Sequence, residues 1–389
     1  MSAARVELSS KWILGSAAVG VLGLGALVVG IAVDTHRALF SYVFGFAFWF
    51  TLSMGAFLAL LTFHATGTRW VAPFRRINEL LALPVVLAAV FAIPLLVFLP
   101  QLYPWARPEW VQRSKEVVMT FRGFYLQPLF YVLRTVGYLA SFVVVPLLLM
   151  RLSRRQDREP GEALQKKQRV LAAATMPVIL FTSTFACFDW FMSLTPDWWS
   201  ELYGVYVLTG GFLTALALLI WVGRRVYERE LLPTATLWHF HSLGKLLLAL
   251  VCFWAYIAYD QYMLIWIADL PTENTWYIAR TTLGWMPVFL VLCAMEFLIP
   301  FCILLSQKVK KNLGAMSGLC VWLFVAHVLD TFWIIIPSSG ERVPRWTDLA
   351  ALLGIGGIYL AFALWRFSVT PIVASGDPEL EGEPAPVHA

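Results

Sequence analysis

Some ionisable residues of this chain lie inside stretches that are otherwise apolar and long enough to cross a bilayer. The stretch from Leu246 to Ile267 carries Asp260 well inside it, and Lys245 stands at its start. Along a helix these two side chains are about 22 Å apart, so they cannot neutralise each other. A charge at that depth is costly unless it is paired or reached by water. Each of the two therefore needs a partner on another helix or in water.

Other apolar stretches also carry ionisable residues near the bilayer middle. By helix rise, Glu296 and His327 lie about 20 Å and Arg134 about 15 Å inside their stretches. Asp330 follows His327 by three residues, and such an i,i+3 pair can share a proton or a water molecule. Because isolated burial is costly, we expect five side chains to converge inside a bundle. They are Arg134, Asp260, Glu296, His327 and Asp330.

Two interpretations of this deep set stay open. In the first, Arg134 forms a structural ion pair with Asp260 or Glu296 and joins two helices. In the second, the carboxyl and imidazole groups handle protons or a quinone. Titration separates the two, because structural pairs stay charged near neutral pH whereas a relay needs groups whose pKa lies near the working pH.

Further candidates lie nearer the ends of the apolar stretches. Asp189 stands where a helix ends, and the helix macrodipole disfavours a carboxylate there. We add it to the candidate set, and the alternative is an interface residue that reaches water.

A second group of candidates lies toward the opposite, cytoplasmic side and consists of His64, Glu79, His239, His241 and Lys245. His241 and Lys245 are four residues apart on one helix face and could line the mouth of an inward cavity. The alternatives are a snorkelling Lys245 and an ordinary surface ion pair of Glu79.

The elements that position these residues follow from composition. The chain has 389 residues, of which 60% are hydrophobic and 14% are charged, so it is far too apolar for a soluble domain. We predict an all-α polytopic membrane protein of ten spans within residues 1–374. The predicted spans are 12–33, 37–64, 80–99, 124–150, 170–193, 202–223, 241–268, 283–305, 314–336 and 348–367.

Charge sets the expected orientation. Most of the 29 Lys and Arg residues fall in the loops on one side of the predicted spans. That side is therefore expected to face the cytoplasm, with both termini there. The net charge of +5 needs no nucleic acid to explain it, because membrane topology and anionic lipids already favour such an excess.

The cysteines and loops argue against a cofactor bound by this chain. All five cysteines fall within predicted spans, and none forms a CxxC or CxxCH motif, so we interpret them as small apolar core residues. We expect no metal, haem or iron-sulfur cluster here. No loop is long enough for a soluble domain, and the outer loop 100–123, with Trp105 and Trp110, suits the membrane interface. The acidic, Pro-rich tail 375–389 is predicted to be disordered or bound to a partner.

Two segments at the ends of spans resemble each other. In both Phe188 to Trp199 and Tyr259 to Trp276, an Asp beside an aromatic residue is followed by Met and then by a Pro/Trp turn. Such an echo is what a duplicated helical bundle would leave, and chance is the alternative. We expect two four-helix bundles plus peripheral helices.

Three stretches, together with the ten spans, carry a family resemblance. They are FDWFMSLTPDWWSELYGVYVLTGG at 188–211, FWAYIAYDQYMLIWIADLPTENTWY at 253–277 and ASGDPELEG in the tail. The chain resembles the ActF subunits of bacterial alternative complex III, which belong to the NrfD-like, or polysulfide-reductase-like, membrane proteins. The resemblance covers most of the chain and is strongest in the fifth to seventh spans.

The resemblance implies a quinol:electron-acceptor oxidoreductase in the bacterial inner membrane that passes electrons toward cytochrome c or a terminal oxidase. The implied partners are a paralogous NrfD-like subunit, multihaem cytochrome c and iron-sulfur subunits, and small membrane subunits. This chain would bind no cofactor itself, although quinol is possible in the complex. Its carboxylates and histidines would conduct protons.

We therefore expect a non-redox membrane subunit with no complete active site of its own. The first rival is a structural anchor for the haem and iron-sulfur subunits of this or another NrfD-type complex. The second rival is a secondary transporter, which would require matched broken helices in two halves of the chain.

Overall fold

The fold is all-α. The structure, a computed structural model, describes residues 5–6, 8–109, 121–282 and 284–381. Within these residues there are ten helices long and apolar enough to cross a membrane, and there is no β-strand. The chain is therefore an all-α polytopic membrane protein, which confirms the predicted fold class.

The ten spans are numbered α1 to α10 in chain order. They are α1 Ser10–Val33, α2 Thr35–Thr66, α3 Ala72–Val97, α4 Pro128–Gln156, α5 Glu162–Leu194, α6 Tyr203–Tyr227, α7 Leu237–Ala268, α8 Met286–Leu305, α9 Leu313–Ser339 and α10 Trp346–Val369. Each overlaps its predicted span. Short helices outside them include Leu99–Leu102, Phe121–Tyr125, Pro271–Thr281 and Gln307–Lys311.

Eight of the spans form two four-helix groups, as predicted. Helices α2 to α5 pack around one another, and so do α6 to α9. The two bundles meet where α2 crosses α6, and glycine permits a close approach there. A Cβ atom added to Gly211 would lie 2.2 Å from the carbonyl oxygen of Thr51, so only glycine fits at this crossing.

Helices α1 and α10 are peripheral and pack against each other. A Cβ atom added to Gly23 of α1 would lie 2.6 Å from the Cα atom of Gly354 of α10. The glycines of both helices thus serve close helix packing. Helix α1 exposes most of its remaining surface, whereas α2 is buried along almost its whole length.

One end of the molecule is rich in basic residues and is called the basic end here. It holds the turns at 67–71, 157–161, 228–236 and 306–312, and the opposite end is called the far end. The start of the acidic tail also lies at the basic end, where Asp377 and Glu379 pair with Arg75. Burial raises the pKa of Asp377, although Arg75 acts in the opposite direction.

The tail and the outer loop differ from the predictions. Residues 375–381 are not an unattached segment but fold back onto the bundle. They do so because the buried guanidinium of Arg75 needs carboxylate partners. Residues 382–389 lie outside the described part of the chain. Trp105 is buried against Tyr131 and does not lie in the interface. Trp110 lies outside the described residues.

The five cysteines differ in burial more than predicted. Cys187 and Cys320 are buried, as expected for small apolar core residues. Cys293 and Cys302 are exposed on α8, and Cys252 of α7 is half-buried. The core interpretation is therefore wrong for Cys293 and Cys302, because α8 packs on few neighbours and leaves one face uncovered.

Candidate functional site

Two carboxyl groups and one imidazole meet midway along α8 and α9. One side-chain oxygen or nitrogen from each of Glu296, His327 and Asp330 lies within 4.8 Å of the other two. The relative exposures of these residues are 0%, 1% and 0%, respectively. The structure thus brings together three of the five residues that were predicted to converge, and they are called the buried cluster below.

A local irregularity of α8 presents Glu296 to this cluster. Residues Cys293–Leu298 form a turn of π-helix between two α-helical segments. Pro300 follows Glu296 by four residues, lacks an N–H group, and would clash in a regular helix with the Glu296 carbonyl. The wider π-helical turn accommodates the proline. The sequence therefore encodes a break in the helix at the position of the acid.

His327 and Asp330 are held by side chains from the two bundle-crossing helices. The Nε2 atom of His327 lies 3.0 Å from the hydroxyl of Thr51 on α2. The hydroxyl of Tyr206 on α6 donates to Asp330 Oδ1 at 2.5 Å. The Nδ1 atom of His327 is 4.0 Å from Asp330 Oδ2, which is too long for a direct hydrogen bond. These contacts fix both groups while leaving one atom of each facing the cluster.

Glycine forms the wall of the cluster on the α6 side. A Cβ atom added to Gly210 would lie 3.1 Å from His327 Nδ1 and 3.2 Å from Asp330 Oδ2. Those are the two atoms that face each other. The absence of a side chain at Gly210 therefore lets the histidine and the acid lie close against α6.

The cluster lacks compensating charge. Neither carboxyl oxygen of Glu296 has a hydrogen-bond partner among the described residues, and the same holds for Asp330 Oδ2 and His327 Nδ1. No Lys or Arg of the described residues forms an ion pair with either acid. Two ionised carboxylates this close in apolar surroundings repel strongly, so the pair is stable only when it holds a proton or a cation. A donor set of two carboxylates and one imidazole also suits Zn²⁺.

Arg134 and Asp189 form a separate ion pair in the other bundle. The Nε atom of Arg134 on α4 donates to Asp189 Oδ2 on α5 at 2.8 Å, and Nη2 donates to Oδ1 at 2.9 Å. The hydroxyl of Tyr138 donates to the same carboxylate at 3.0 Å. The predicted pairing of Arg134 with Asp260 or Glu296 is therefore wrong. Arg134 reaches a closer acid on the helix beside its own.

The two bundles treat equivalent positions differently. Helices α4 and α5 are the third and fourth of the first bundle, as α8 and α9 are of the second. In the first bundle the acid of the fourth helix meets an arginine, and in the second it meets Glu296. The first bundle therefore holds a neutralised, structural pair, and the second holds two neighbouring acids without a Lys or Arg partner among the described residues.

Asp260 lies outside the buried cluster. It is half-buried near the far end of α7, and it forms no ion pair with a described residue. The prediction that it converges with Glu296 and His327 is wrong, because its position on α7 directs it away from α9. The neighbouring Gln261 faces inward instead, and its amide donates to the Tyr277 hydroxyl at 3.0 Å.

The cytoplasmic-side candidates do not form one path. Glu79 is buried, accepts from Ser153 at 2.9 Å and lies 3.3 Å from Arg76, so it is not a surface partner. His64 is also buried, and its Nε2 atom has no hydrogen-bond partner among the described residues. It lines an open cavity of about 770 Å³ together with Arg69 and other basic side chains.

The remaining candidates of this group lie on α7 at the basic end. His239 caps the helix through Thr236, whose backbone N–H donates to His239 Nδ1 at 3.0 Å. His241 is half-buried without a hydrogen-bond partner among the described residues, and Lys245 is exposed. His239 therefore has a structural role, and Lys245 matches the snorkelling alternative.

A cavity of about 480 Å³ lies between α7 and α8 and reaches the buried cluster through Tyr206. Its walls are aromatic and include Trp254, Tyr262, Tyr277 and Phe289. The buried indole of Trp254 also lines this cavity and interacts with Asp330 of the buried cluster. The cavity could therefore accept a flat, largely apolar ring.

Sequence reasoning missed the residues that surround the cluster. Thr51, Tyr206 and Gly210 are uncharged and lie within long apolar runs, so no depth argument singles them out. One usable signal was present at α8, because Pro300 stands four residues after Glu296 and indicates a broken helix at the acid.

No family model matches this chain, and no curated protein matches it either. The role of the buried cluster therefore has to follow from its own chemistry and from the motifs quoted above.

Proposed function

We propose that this chain is a non-redox membrane subunit of a quinol:electron-acceptor oxidoreductase, and that its buried cluster binds and passes protons. One observation supports the proton role most directly. Glu296 and Asp330 are fully buried beside each other, and no cation of the described residues neutralises them. A purely structural site would resemble Arg134 and Asp189, where the charges cancel.

The geometry supports exchange of a proton within the cluster. Tyr206 holds one oxygen of Asp330, so the other oxygen faces His327 and Glu296. The gap of 4.0 Å to His327 Nδ1 closes with a small side-chain rotation or one bridging water. Thr51 fixes the opposite nitrogen, so the imidazole can accept a proton without losing its orientation.

The basic-end histidines are at best an indirect continuation of this path. His64 and Thr51 lie on the same helix, 13 residues or about 20 Å apart. A proton would have to cross that distance through water. The path we propose is therefore centred on the buried cluster, and the cavity beside His64 is a possible entry from the basic end.

The assignment to a quinol oxidoreductase rests on the motifs at 188–211 and 253–277 and on the absence of a soluble domain among the described residues. Haem c and iron-sulfur clusters would belong to partner subunits, including a paralogous NrfD-like chain. We place the complex in the bacterial inner membrane, with the basic end and both termini facing the cytoplasm.

The test uses the assembled complex in proteoliposomes and measures protons translocated per electron. Glu296→Gln and Asp330→Asn should lower this ratio while electron transfer continues, because the amides cannot carry a proton. Asp260→Asn is the matched control and should leave the ratio unchanged, since Asp260 lies outside the cluster. An unchanged ratio in all three variants would leave only the anchor role.

A second candidate role is contact with quinol in the aromatic cavity. The position of Tyr206, which lines the cavity and also bonds to Asp330, favours it. A photoreactive quinone should then label α7 or α8, and excess quinone should suppress that labelling. Labelling confined to other subunits would exclude this role.

A further inference from the structure

An apolar slot runs along the seam between the two bundles and the peripheral helix α10. Helices α2, α3, α6 and α10 form its walls, and its volume is about 340 Å³. The lining residues include Leu52, Leu81, Leu218, Val222, Ala363 and Leu364. Leu360, which also lines the slot, is 47% exposed, so the slot opens onto the lipid-facing surface.

The slot has an apolar deep end and a basic mouth. Its deep end reaches Trp49 and Tyr359 near the middle of their helices, and its mouth holds Arg225 and Arg229 at the basic end. From Leu218 to Tyr227, where α6 ends, the rise is about 14 Å, and Arg229 lies two residues beyond. That depth suits one extended hydrocarbon chain.

The two arginines at the mouth are available for an anion. Arg225 lies in the last turn of α6 and Arg229 in the turn that follows the helix; both are exposed, and neither forms an ion pair with a described carboxylate. The guanidinium of Arg225 lies 4.7 Å from the Trp221 ring centroid, which orients it at the mouth. The adjacent Arg224 instead pairs with Glu228 at 2.7 Å.

We propose that this slot binds one anionic glycerophospholipid, with an acyl chain between α6 and α10 and its phosphate on Arg225 and Arg229. Paired guanidinium groups match a phosphate in geometry and charge. Basic pockets between membrane helices are suited to acidic headgroups. The bound lipid fills the seam where α10 meets both bundles, so it stabilises their arrangement.

The experiment titrates phosphatidylglycerol into the purified full-length chain in phosphatidylcholine nanodiscs and follows retained lipid by native mass spectrometry. The unmodified chain should retain one phosphatidylglycerol in preference to phosphatidylcholine. The double variant Arg225→Gln/Arg229→Gln should bind it about 30-fold more weakly, since each arginine contributes to the attraction. Arg224→Gln removes an equal charge from the neighbouring paired position and should bind normally.

Two further arms separate the acyl slot from a simple anion site. Ala363→Phe should reduce lipid retention while both arginines remain, because the ring occupies the slot. Inorganic phosphate alone should not compete. Equal retention of both lipids, equal weakening by Arg224→Gln, or full competition by phosphate would overturn the proposal.

Discussion

At the scale of residues, two acids in this protein have opposite surroundings. Asp189 is buried but receives two hydrogen bonds from Arg134 and one from Tyr138. Asp330 is equally buried, but it receives one from Tyr206 and faces Glu296. Burial is the same in both places, so the neighbouring charge decides the chemistry. The first acid stabilises the fold, and we propose that the second exchanges a proton.

Neutralising these two acids should have different effects on stability. Asp189→Asn leaves the Arg134 guanidinium without its counter-charge and should cost about 3 kcal/mol. Asp330→Asn keeps an acceptor for Tyr206 and removes a like charge, so its cost should stay within about 1 kcal/mol. Thermal unfolding of the purified chain in detergent measures both. Equal losses would contradict the contrast drawn between the two bundles.

We expect proton transfer by the buried cluster to need Gly210, although glycine has no side chain that could bind a proton. In Gly210→Ala the new methyl group would lie 3.1 Å from His327 Nδ1 and 3.2 Å from Asp330 Oδ2, so both side chains must move by a few tenths of an ångström and their spacing changes. We expect protons translocated per electron to fall as in Glu296→Gln. Gly137→Ala on α4 is the control, because a Cβ there meets nothing within 4 Å. A normal ratio in Gly210→Ala would show that the space beside Gly210 is not used.

The sequence allowed part of this site to be predicted. Glu296, His327 and Asp330 could be found by their depth in apolar stretches, since isolated burial of such groups is costly. The sequence could not predict the partner of Arg134 or the direction in which the Asp260 side chain points. Both depend on how each helix is rotated about its own axis relative to its neighbours. Successive residues of a helix point in directions about 100° apart. A single sequence does not fix which of these directions faces the neighbouring helices.

At the scale of elements, two spans are interrupted within their length in the described part of the chain, whereas α5 and α9 have a 3₁₀ segment only at their ends. Helix α3 contains a 3₁₀ segment at Leu83–Leu87, and α8 contains the π-helical turn at Cys293–Leu298. These helices are the second of one bundle and the third of the other. A secondary transporter built from repeats would place such breaks at corresponding positions, so the arrangement does not favour that rival.

Pro300 should set the orientation of Glu296. In Pro300→Ala the missing N–H is restored and α8 can return to a regular helix, which turns Glu296 away from Asp330. The ratio of protons to electrons should fall although no acid is changed. Pro287→Ala is the control, since that proline stands in the first turn of α8, where no intrahelical bond is lost. An unchanged ratio of protons to electrons in Pro300→Ala would mean that the π-helical turn is not needed for proton transfer.

The start of α2 gives a pH-dependent prediction. Asp34 caps this helix and accepts from the backbone N–H of Arg37 at 3.1 Å, and this hydrogen bond lowers the pKa of its carboxyl, with a smaller contribution from Arg345. A lowered pKa stabilises the folded state above the ordinary value of 3.8, and that contribution is lost as the pH falls below it. Asp34→Ala should therefore cost about 1 kcal/mol near neutral pH and progressively less in acid.

Asp34→Asn is the matched variant for this cap. Asparagine caps a helix as well as aspartate does, so this variant should lose only the part of the stability that depends on charge. Unfolding of both variants across a pH series checks the sign. A cost of Asp34→Ala that grows in acid would contradict the capping role.

At the scale of the whole molecule, the number and approximate positions of the spans could be predicted because each apolar run must cross the bilayer. The division into two bundles was also predicted, but the proposed echo does not correspond to it. It relates α5 to α7, whereas the bundle order makes α9 the counterpart of α5. The two echo segments meet in another way, because Trp198 stacks on Trp276 with ring centroids 4.7 Å apart.

The central claim is that Glu296 and Asp330 together hold an exchangeable proton in the middle of the membrane. Infrared spectroscopy of the purified chain at neutral pH tests it most directly, through the carbonyl band of a protonated carboxyl group. We predict a band that shifts on transfer to heavy water, disappears or moves in Glu296→Gln and in Asp330→Asn, and persists in Asp260→Asn. A spectrum unchanged by either cluster substitution would contradict the account.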